Sequence, residues 1–177
     1  KLELIGNIGF DFRWGDLAWD PKIRKLLMIT DQSREVDFPK LYLVDPFNAE
    51  TELLGTIEVD QFGSGHQAYG LEYIPETGQI FISYDERVLE VDRNTLAAEL
   101  IAETTLENDS FAGLAYDSDS QKLYAIASGG STYLVDTVNG EILHECTPSQ
   151  ILEGGVAYDS KQKIFWQTVL AGGPQDI

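Results

Sequence analysis

The sequence is poor in several residue types that mark common protein classes. It has one cysteine, Cys146, and two histidines in 177 residues. A single thiol cannot form an internal disulfide, and no Cys or His partners have the spacing of a zinc site. No apolar run approaches the roughly 20 residues needed to cross a bilayer. The sequence therefore excludes a disulfide-stapled scaffold and predicts no membrane span.

Basic residues are also scarce. Twelve Lys and Arg residues stand against 30 Asp and Glu, which gives a formal net charge of −18. Such a surface repels phosphate backbones and anionic membranes. Nucleic acid is therefore not an expected partner, whereas cations and basic protein surfaces are compatible with the charge. Solubility alone also explains it, because net charge informs on solubility and non-specific binding and not on fold.

Long helical periodicity is the third absence. Although 43% of the residues are hydrophobic, which is enough to bury a core, the apolar residues form short β-branched and aromatic runs between polar turns. The segment "NTLAAELIAE" (94–103) is the one stretch that could form a helix alone. Its alignment with the other closing runs of the repeat described next predicts a strand instead.

Four stretches of the chain align with one another, at residues 15–30, 69–84, 112–127 and 154–169. The second position of each stretch is small or acidic, and the fifth is aromatic. The first column holds Asp16, Gly70, Gly113 and Gly155, and the aromatic column holds Trp19, Tyr73, Tyr116 and Tyr158. Repeats spaced by about 40 to 50 residues indicate solenoids, propellers or arrays.

Each copy contains short runs typical of strands. "GLAY" and "KLYAIA" are followed by "TYLVD" and "EILHEC", and the Asn139-Gly140 pair between the last two is a strong hairpin signal. Four antiparallel strands in about 40 residues match the blade of a β-propeller. The copies resemble the propellers with PQQ-like, NHL-like and YVTN-like repeats. The predicted fold is therefore an all-β propeller with about four visible blades.

The repeat boundaries predict how the chain is divided. Residues 1–12 would be the outermost strand of a preceding blade, followed by blades at 13–66, 67–109 and 110–151 and by a partial blade at 152–177. We expect these blades to belong to a larger ring of about six to eight blades, within the usual range of propellers. A compact four-bladed ring is the second possibility. A homo-oligomer formed through the open blade edges is a further expectation.

Candidate site residues concentrate where irregular loops meet the expected channel, because loops on a rigid scaffold carry most binding residues. Four of them directly precede first strands and would rim the channel: Arg13, Trp14, Phe111 and Glu153. His66 lies in an expanded loop, and Glu72 replaces the alanine found in the matching column at Ala18, Ala115 and Ala157. This set is the predicted binding site.

A second candidate is a cation site in the first long loop. Asp31, Glu35 and Asp37 supply oxygen ligands of the type that Ca²⁺ prefers. The spacing does not match an EF-hand loop, and a solvated acidic loop explains the same residues. Ca²⁺ is the only metal or cofactor that the sequence suggests.

The absence of an assembled acid, base and nucleophile favours a non-enzymatic binding or scaffold protein. Its partner would be a protein, a glycan or a surface component, and its location extracellular or periplasmic.

The alternative is a metal-dependent hydrolase, because "LEGGVAYDSKQKIFW" (152–166) is similar to the opening "EGP" blade of gluconolactonase-type propellers. That resemblance implies that Glu153 is a metal ligand, although Gly155 stands where the family has Pro. A quinone-dependent dehydrogenase is not favoured, because no cofactor platform of Trp and paired ligands is visible.

Overall fold

The computed structural model describes residues 3–11, 14–31, 38–59, 61, 68–104, 110–146 and 155–167. Within these ranges the chain forms three four-stranded sheets and one two-stranded sheet. We call them blades 1 to 4 in chain order. In these same ranges no helix is long and apolar enough to cross a membrane.

Each of the first three blades is an antiparallel meander in which consecutive strands pair. Blade 1 contains β1 (Trp14–Asp20), β2 (Lys25–Asp31), β3 (Lys40–Val44) and β4 (Thr51–Thr56). Blade 2 contains β5 (Ala68–Ile74), β6 (Gln79–Tyr84), β7 (Arg87–Val91) and β8 (Ala98–Glu103). Blade 3 contains β9 (Phe111–Asp117), β10 (Lys122–Ala127), β11 (Thr132–Val135) and β12 (Ile142–Cys146). Blade 4 contains β13 (Val156–Asp159) and β14 (Ile164–Gln167).

The outer hairpin of each complete blade carries the same irregularity. The register shifts between Leu41 and Tyr42 in blade 1, between Val88 and Leu89 in blade 2, and between Thr132 and Tyr133 in blade 3. A bulge increases the local right-handed twist of a sheet. The repeated bulge therefore turns the outermost strand of each blade in the same way.

The core lies between the blades. We call the side of a blade that points to the next blade along the chain its forward face, and the other side its back face. Ala18, Leu27 and Ile29 on the forward face of blade 1 share one buried cluster with Leu71 and Tyr73 on the back face of blade 2.

The later blade boundaries repeat this packing. Phe81 of blade 2 is buried with Leu114 and Leu123 of blade 3. Ala115 of blade 3 is buried with Val156 of blade 4. Stacked blades therefore replace a single central core.

Turns of constant length form one side of the blade stack, the uniform face. The turns between first and second strands have four residues each, at 21–24, 75–78, 118–121 and 160–163. The turns between third and fourth strands have six residues each, at 45–50, 92–97 and 136–141. Each six-residue turn opens with an aspartate that accepts a backbone N–H two residues later, at Asp45, Asp92 and Asp136. Part of the acidic charge therefore has a structural role in turns.

The connections on the opposite side, the loop face, differ in length. Those between second and third strands span residues 32–39, 85–86 and 128–131, and those between blades span 57–67, 104–110 and 147–155. Connection length therefore varies on the loop face and is constant within each class of turn on the uniform face. The predicted blade borders at 66/67 and 151/152 lie outside the described residues.

Residues 3–11 do not form the strand that the sequence suggests for 1–12. A strand needs a neighbour in its sheet, and no described strand pairs with this segment. The segment lies against the back face of blade 1 instead. Phe10 stacks on Tyr42 with ring centroids 4.7 Å apart, and Thr51 Oγ1 donates a hydrogen bond of 3.2 Å to the carbonyl of Ile8.

Candidate functional site

Two carboxylates lie on the innermost strands, at the boundaries between blades. Asp16, on β1, accepts a hydrogen bond of 3.1 Å from the backbone N–H of Leu71 on β5, and a second of 2.8 Å from Leu17. Glu72, on β5, accepts one of 2.9 Å from the N–H of Tyr116 on β9, and another of 2.9 Å from Tyr73. Each carboxylate therefore links the inner strand of its own blade to that of the next.

Burial changes the acidity of both groups. Loss of hydration raises the pKa of Asp16 from 3.8 to about 6, although the bonds from Leu17 and Leu71 oppose the shift. Burial likewise raises the pKa of Glu72 from 4.5 to about 7, and the nearby charge of Asp16 adds to this shift. A carboxyl with a pKa near neutrality is suited to acid–base chemistry. Here both oxygens of each group accept backbone N–H bonds, which favours a structural role.

Ser83 makes a third polar link between inner strands. It is 0% exposed, accepts a 2.7 Å hydrogen bond from the N–H of Gly70 and donates one of 2.9 Å to the carbonyl of Phe111. On the uniform face, the buried Asp20 of blade 1 pairs with Arg93 of blade 2 at 2.6 Å. Buried polar groups are tolerated when they are paired in this way. Sequence reasoning missed Ser83 and Arg93, because their partners are distant in sequence.

Two predicted site residues take positions other than those expected. Phe111 does not rim an open channel: it is 1% exposed and contacts Tyr133 edge to face, with ring centroids 5.7 Å apart. Its position directly before "AGLAY" makes it the first residue of β9, where the core of blades 2 and 3 covers it. Glu72 is not a free channel carboxylate either, since both its oxygens bond to inner-strand N–H groups.

The other predicted site residues are only partly covered by the structure. Trp14 is the first residue of β1 and Asp31 is the last residue of β2. Five residues lie outside the described ranges: Arg13, Glu35, Asp37, His66 and Glu153. Among the described residues, no group of three or more His, Cys, Asp or Glu side chains could hold a metal ion. The Ca²⁺ site stays a prediction.

An apolar pocket of about 280 Å³ opens on the back face of blade 1, and we call it the end pocket. Its apolar lining is Ile8, Leu17, Leu26, Met28 and Val44. Leu17 is 51% exposed, and Trp19 beside it in sequence is 45% exposed. Tyr73, the equivalent residue of blade 2, is 4% exposed in the core between blades 1 and 2. Trp19 is more exposed because, in the part of the chain that the structure describes, no blade packs on its face.

Comparison with known proteins gives information on the fold. No protein-family model and no curated protein matches the chain. The extracellular domain of a putative one-component system from B. thetaiotaomicron is similar at 16% identity with a TM-score of 0.56, over 87% of this chain and 20% of that one. A nidogen/laminin complex matches at 14% identity with a TM-score of 0.58, over 82% of this chain and 52% of that one.

A structural genomics protein of unknown function from Bacteroides thetaiotaomicron VPI-5482 matches at 15% identity with a TM-score of 0.61, over 78% of this chain and 35% of that one. The chain thus spans between about a fifth and about half of the length of these similar chains. At such identities the likeness concerns the fold alone. Together with the stacked four-stranded blades, it identifies the fold as that of a β-propeller.

Proposed function

We propose that the protein is a non-enzymatic binding or scaffold propeller that recognises a protein or glycan through its loop face. The observation that carries the proposal is the contrast in connection length. Every described turn on the uniform face has four or six residues, whereas the loop-face connections vary from the two residues 85–86 to the eleven residues 57–67. Variable loops on a rigid scaffold are where recognition residues concentrate.

The inner strands support a scaffold role as well. Among the described residues, Asp16, Glu72 and Ser83 are polar groups of types that can serve acid–base or nucleophilic chemistry, and each joins neighbouring blades. A general acid or base needs an oxygen that can reach a substrate proton. Side-chain oxygens that already form hydrogen bonds between blades are better suited to stabilising the fold than to catalysis.

The proposed location draws on two of the similar structures. One is an extracellular domain and the other contains nidogen bound to laminin. We therefore propose an extracellular or periplasmic location, with a protein as the first partner class to test. The strongly acidic composition is compatible with a basic patch on that partner.

The test is a binding screen with matched variants on the two faces. The immobilised protein is exposed to a glycan array and to a panel of extracellular proteins that includes laminin. Trp14 begins β1 on the loop face, and Phe47, 72% exposed, lies in a turn of the uniform face. We expect saturable binding that Trp14→Ala weakens about tenfold, a typical effect for an aromatic anchor, and that Phe47→Ala leaves unchanged.

Three outcomes contradict the proposal. The first is no saturable binding to any probe, and the second is binding that only Phe47→Ala abolishes. The third is hydrolysis of a lactone that requires added Ca²⁺, which would favour the gluconolactonase-type alternative. In that case Glu153→Gln should remove the activity, because that family resemblance makes Glu153 a metal ligand.

A further inference from the structure

A carboxyl group connects the inner strand of blade 2 to each of its neighbours. On one side, Asp16 of β1 accepts a hydrogen bond of 3.1 Å from the backbone N–H of Leu71 on β5. On the other side, Glu72 of β5 accepts one of 2.9 Å from the N–H of Tyr116 on β9. We call these two contacts the carboxyl links. Both of them involve β5, so blade 2 has an ionisable group at each of its boundaries.

The boundary between blades 3 and 4 has no carboxyl at the corresponding positions. In β9 the residue aligned with Asp16 is Gly113, and the residue aligned with Glu72 is Ala115. Neither side chain can ionise, and Ala115 is buried with Val156 of blade 4. The carboxyl groups of the inner-strand packing therefore belong to the first two boundaries, in the part of the chain that the structure describes.

The links are part of the packing between strands. At the boundary between blades 2 and 3, Gly70 stands in the column of Asp16, and a Cβ added there would lie 2.9 Å from Gly113 Cα. The backbones of β5 and β9 are therefore in contact at this level. At the boundary between blades 1 and 2, the side chain of Asp16 lies in the corresponding space and reaches the N–H of Leu71. A change in its charge therefore acts directly on the contact between β1 and β5.

Uncharged residues from three blades lie next to Asp16. Ile29 is its partner on β2, and Leu71 is the hydrogen-bond donor on β5. Blade 4 presents Gly155, where an added Cβ would lie 3.5 Å from Asp16 Oδ1. None of these residues supplies a positive charge, and loss of hydration raises the pKa of Asp16 from 3.8 to about 6.

Glu72 has one charged neighbour that affects its ionisation. Phe81 is its partner on β6, and Tyr116 is the donor on β9. The phenol of Tyr116 stays neutral, because burial raises its pKa above the ordinary value of 10.0. Burial, together with the charge of Asp16, raises the pKa of Glu72 from 4.5 to about 7. The two carboxyls therefore repel each other when both are ionised.

Proton binding and opening of these boundaries are linked. When a boundary opens and water reaches the carboxyl, its pKa returns toward the ordinary value. The closed form holds the proton more tightly, so the added stability of the closed form is complete below the ordinary pKa. It is lost as pH rises through the pKa of the closed form. Each link therefore favours a closed boundary in acid and favours it less at neutral pH.

We propose that proton binding controls how firmly blade 2 is held between blades 1 and 3, through the carboxyl links of Asp16 and Glu72, while the contact between blades 3 and 4 does not respond. Each link has its own donor and acceptor, so the two boundaries open independently. The device is local, and it acts on the one blade that both links touch.

Blade 2 is also connected to the loop face. Its turn 85–86 lies on that face, and the carbonyls of this turn accept hydrogen bonds from the N–H groups of Thr104 and Phe111, at 3.0 and 2.8 Å. These two donors flank the connection between blades 2 and 3. A pH dependence of recognition is the expected consequence, and this consequence rests on the proposed function.

The test is amide-resolved hydrogen exchange of the 177-residue chain by NMR, at about pH 5 and about pH 8, corrected for intrinsic exchange rates. The amides of Leu71 and Tyr116 are the donors of the two links, so their exchange reports the opening of each boundary. The opening constant at Tyr116 should rise about 50- to 100-fold between these pH values, and that at Leu71 about tenfold. No ligand is used, so the result is independent of the binding screen.

Two variants should give a crossed pattern. Glu72→Gln should remove most of the pH response at Tyr116 and keep that at Leu71, and Asp16→Asn should do the reverse. Each substitution preserves size and removes the ionisable group. At about pH 5 both carboxyls of the folded chain are largely protonated, so each variant should exchange like the unmodified chain. Damage to the packing alone would raise exchange at both pH values.

The matched control is Glu99→Gln, which removes one charge from an exposed position on the outer strand of the same blade. It should leave both pH responses unchanged. Thermal melting checks that each variant is folded. Glu72→Ala, which copies Ala18 and Ala115 of the same column, replaces Glu72→Gln if that variant does not fold.

Three results would overturn the proposal. The first is exchange at Leu71 and Tyr116 that does not depend on pH after correction. The second is an equal pH response in the unmodified chain and in both link variants, which would assign the effect to another group. The third is a loss of response at both amides in each variant, because that is the behaviour of global unfolding and not of separate boundaries.

Discussion

The second and fourth blades carry equivalent residues but differ in what covers them. Phe81 of blade 2 and Trp166 of blade 4 occupy the same position in the repeat, yet the first is 0% exposed and the second is 59% exposed. Blade 3 covers the forward face of blade 2, and no described blade covers that of blade 4. The pattern of the sequence therefore tells which side chains require a neighbour, and the stacking of the blades decides whether they have one.

The largest expected effect comes from truncating the two equivalent aromatic residues. Phe81→Ala should lower the free energy of unfolding by about 3 to 5 kcal/mol, because it leaves a cavity in a closed core. Trp166→Ala should change it by less than about 0.5 kcal/mol in the monomer, since the ring is largely in water. Urea unfolding at low protein concentration measures both. Equal losses for the two variants would show that the difference in exposure between Phe81 and Trp166 does not affect their contributions to stability.

The next effect is a pH dependence that blade 2 has and blade 4 lacks, because Glu72 stands where blade 4 has Ala157. The pKa of Glu72 rises from 4.5 to about 7 on folding, so the folded state binds more protons between these values. The resulting stabilisation is complete below the unfolded pKa and is lost as pH rises through the folded pKa. The full loss is about 3 kcal/mol for Glu72, and Asp16 adds a similar loss between 3.8 and about 6.

Urea unfolding at about pH 5 and about pH 8 measures this loss. Glu72→Gln cannot ionise, so its stability should fall less over that interval than that of the unmodified chain. An equal fall in both proteins would mean that another group titrates. The comparison isolates Glu72, because Asp16 is present in both proteins.

Two glycines of the same column should respond differently to alanine. At Gly70 of blade 2 a new Cβ would lie 2.9 Å from Gly113 Cα and 2.9 Å from the Leu114 nitrogen, so backbone must shift. We expect Gly70→Ala to cost about 1 to 3 kcal/mol. At Gly155 beside blade 4 the nearest atom would be Asp16 Oδ1 at 3.5 Å, which is an ordinary contact. Gly155→Ala should therefore leave the thermal midpoint nearly unchanged, and a large drop would show that this column is equally tight at both positions.

The smallest effect concerns the four-residue turns. Gly78 in blade 2 has φ +82° with open space around it, whereas blade 4 has Lys163 at the equivalent position with φ +59°. Gly78→Ala should cost about 1 kcal/mol, because an L side chain is disfavoured in the left-handed region. Lys163→Ala should cost almost nothing, since that strain is already present and its ion pair with Asp119 is exposed. Thermal melts of both variants test this, and equal losses would contradict it.

Strands and turns were predictable from the sequence because they depend on local patterns. Ala98–Glu103 is a strand, as the repeat alignment predicts against the helical appearance of the segment alone. Contacts between blades were harder to foresee. Glu72 attracts attention as a carboxylate in an alanine column, but only the stacking shows that Tyr116 supplies its hydrogen-bond donor. Phe111 was misplaced because the cluster that buries it combines residues of blades 2 and 3, which are distant in sequence.

Residues 3–11 show the limit of reasoning from one repeated unit. "ELIGNI" at 3–8 looks like a closing strand, and "ELLGTI" at 52–57 does contribute most of β4. The two hexapeptides differ in their surroundings, since β4 has β3 beside it and residues 3–8 have no partner strand in the described residues. Sequence similarity transfers a preference for extended backbone, whereas a strand also requires a neighbour that can exchange hydrogen bonds.

The turn aspartates of the uniform face and the carboxyl groups between the blades titrate in two separate ranges. Backbone N–H bonds lower the pKa of Asp92 and Asp136 at their turns, whereas burial raises that of Asp16 and Glu72 between the blades. On gradual acidification the interior carboxylates take up protons first, and the rim of turns keeps its negative charge until the medium is far more acidic. In a mildly acidic compartment the protein would thus combine higher folding stability with an anionic surface, two properties that one population of identical acids could not supply.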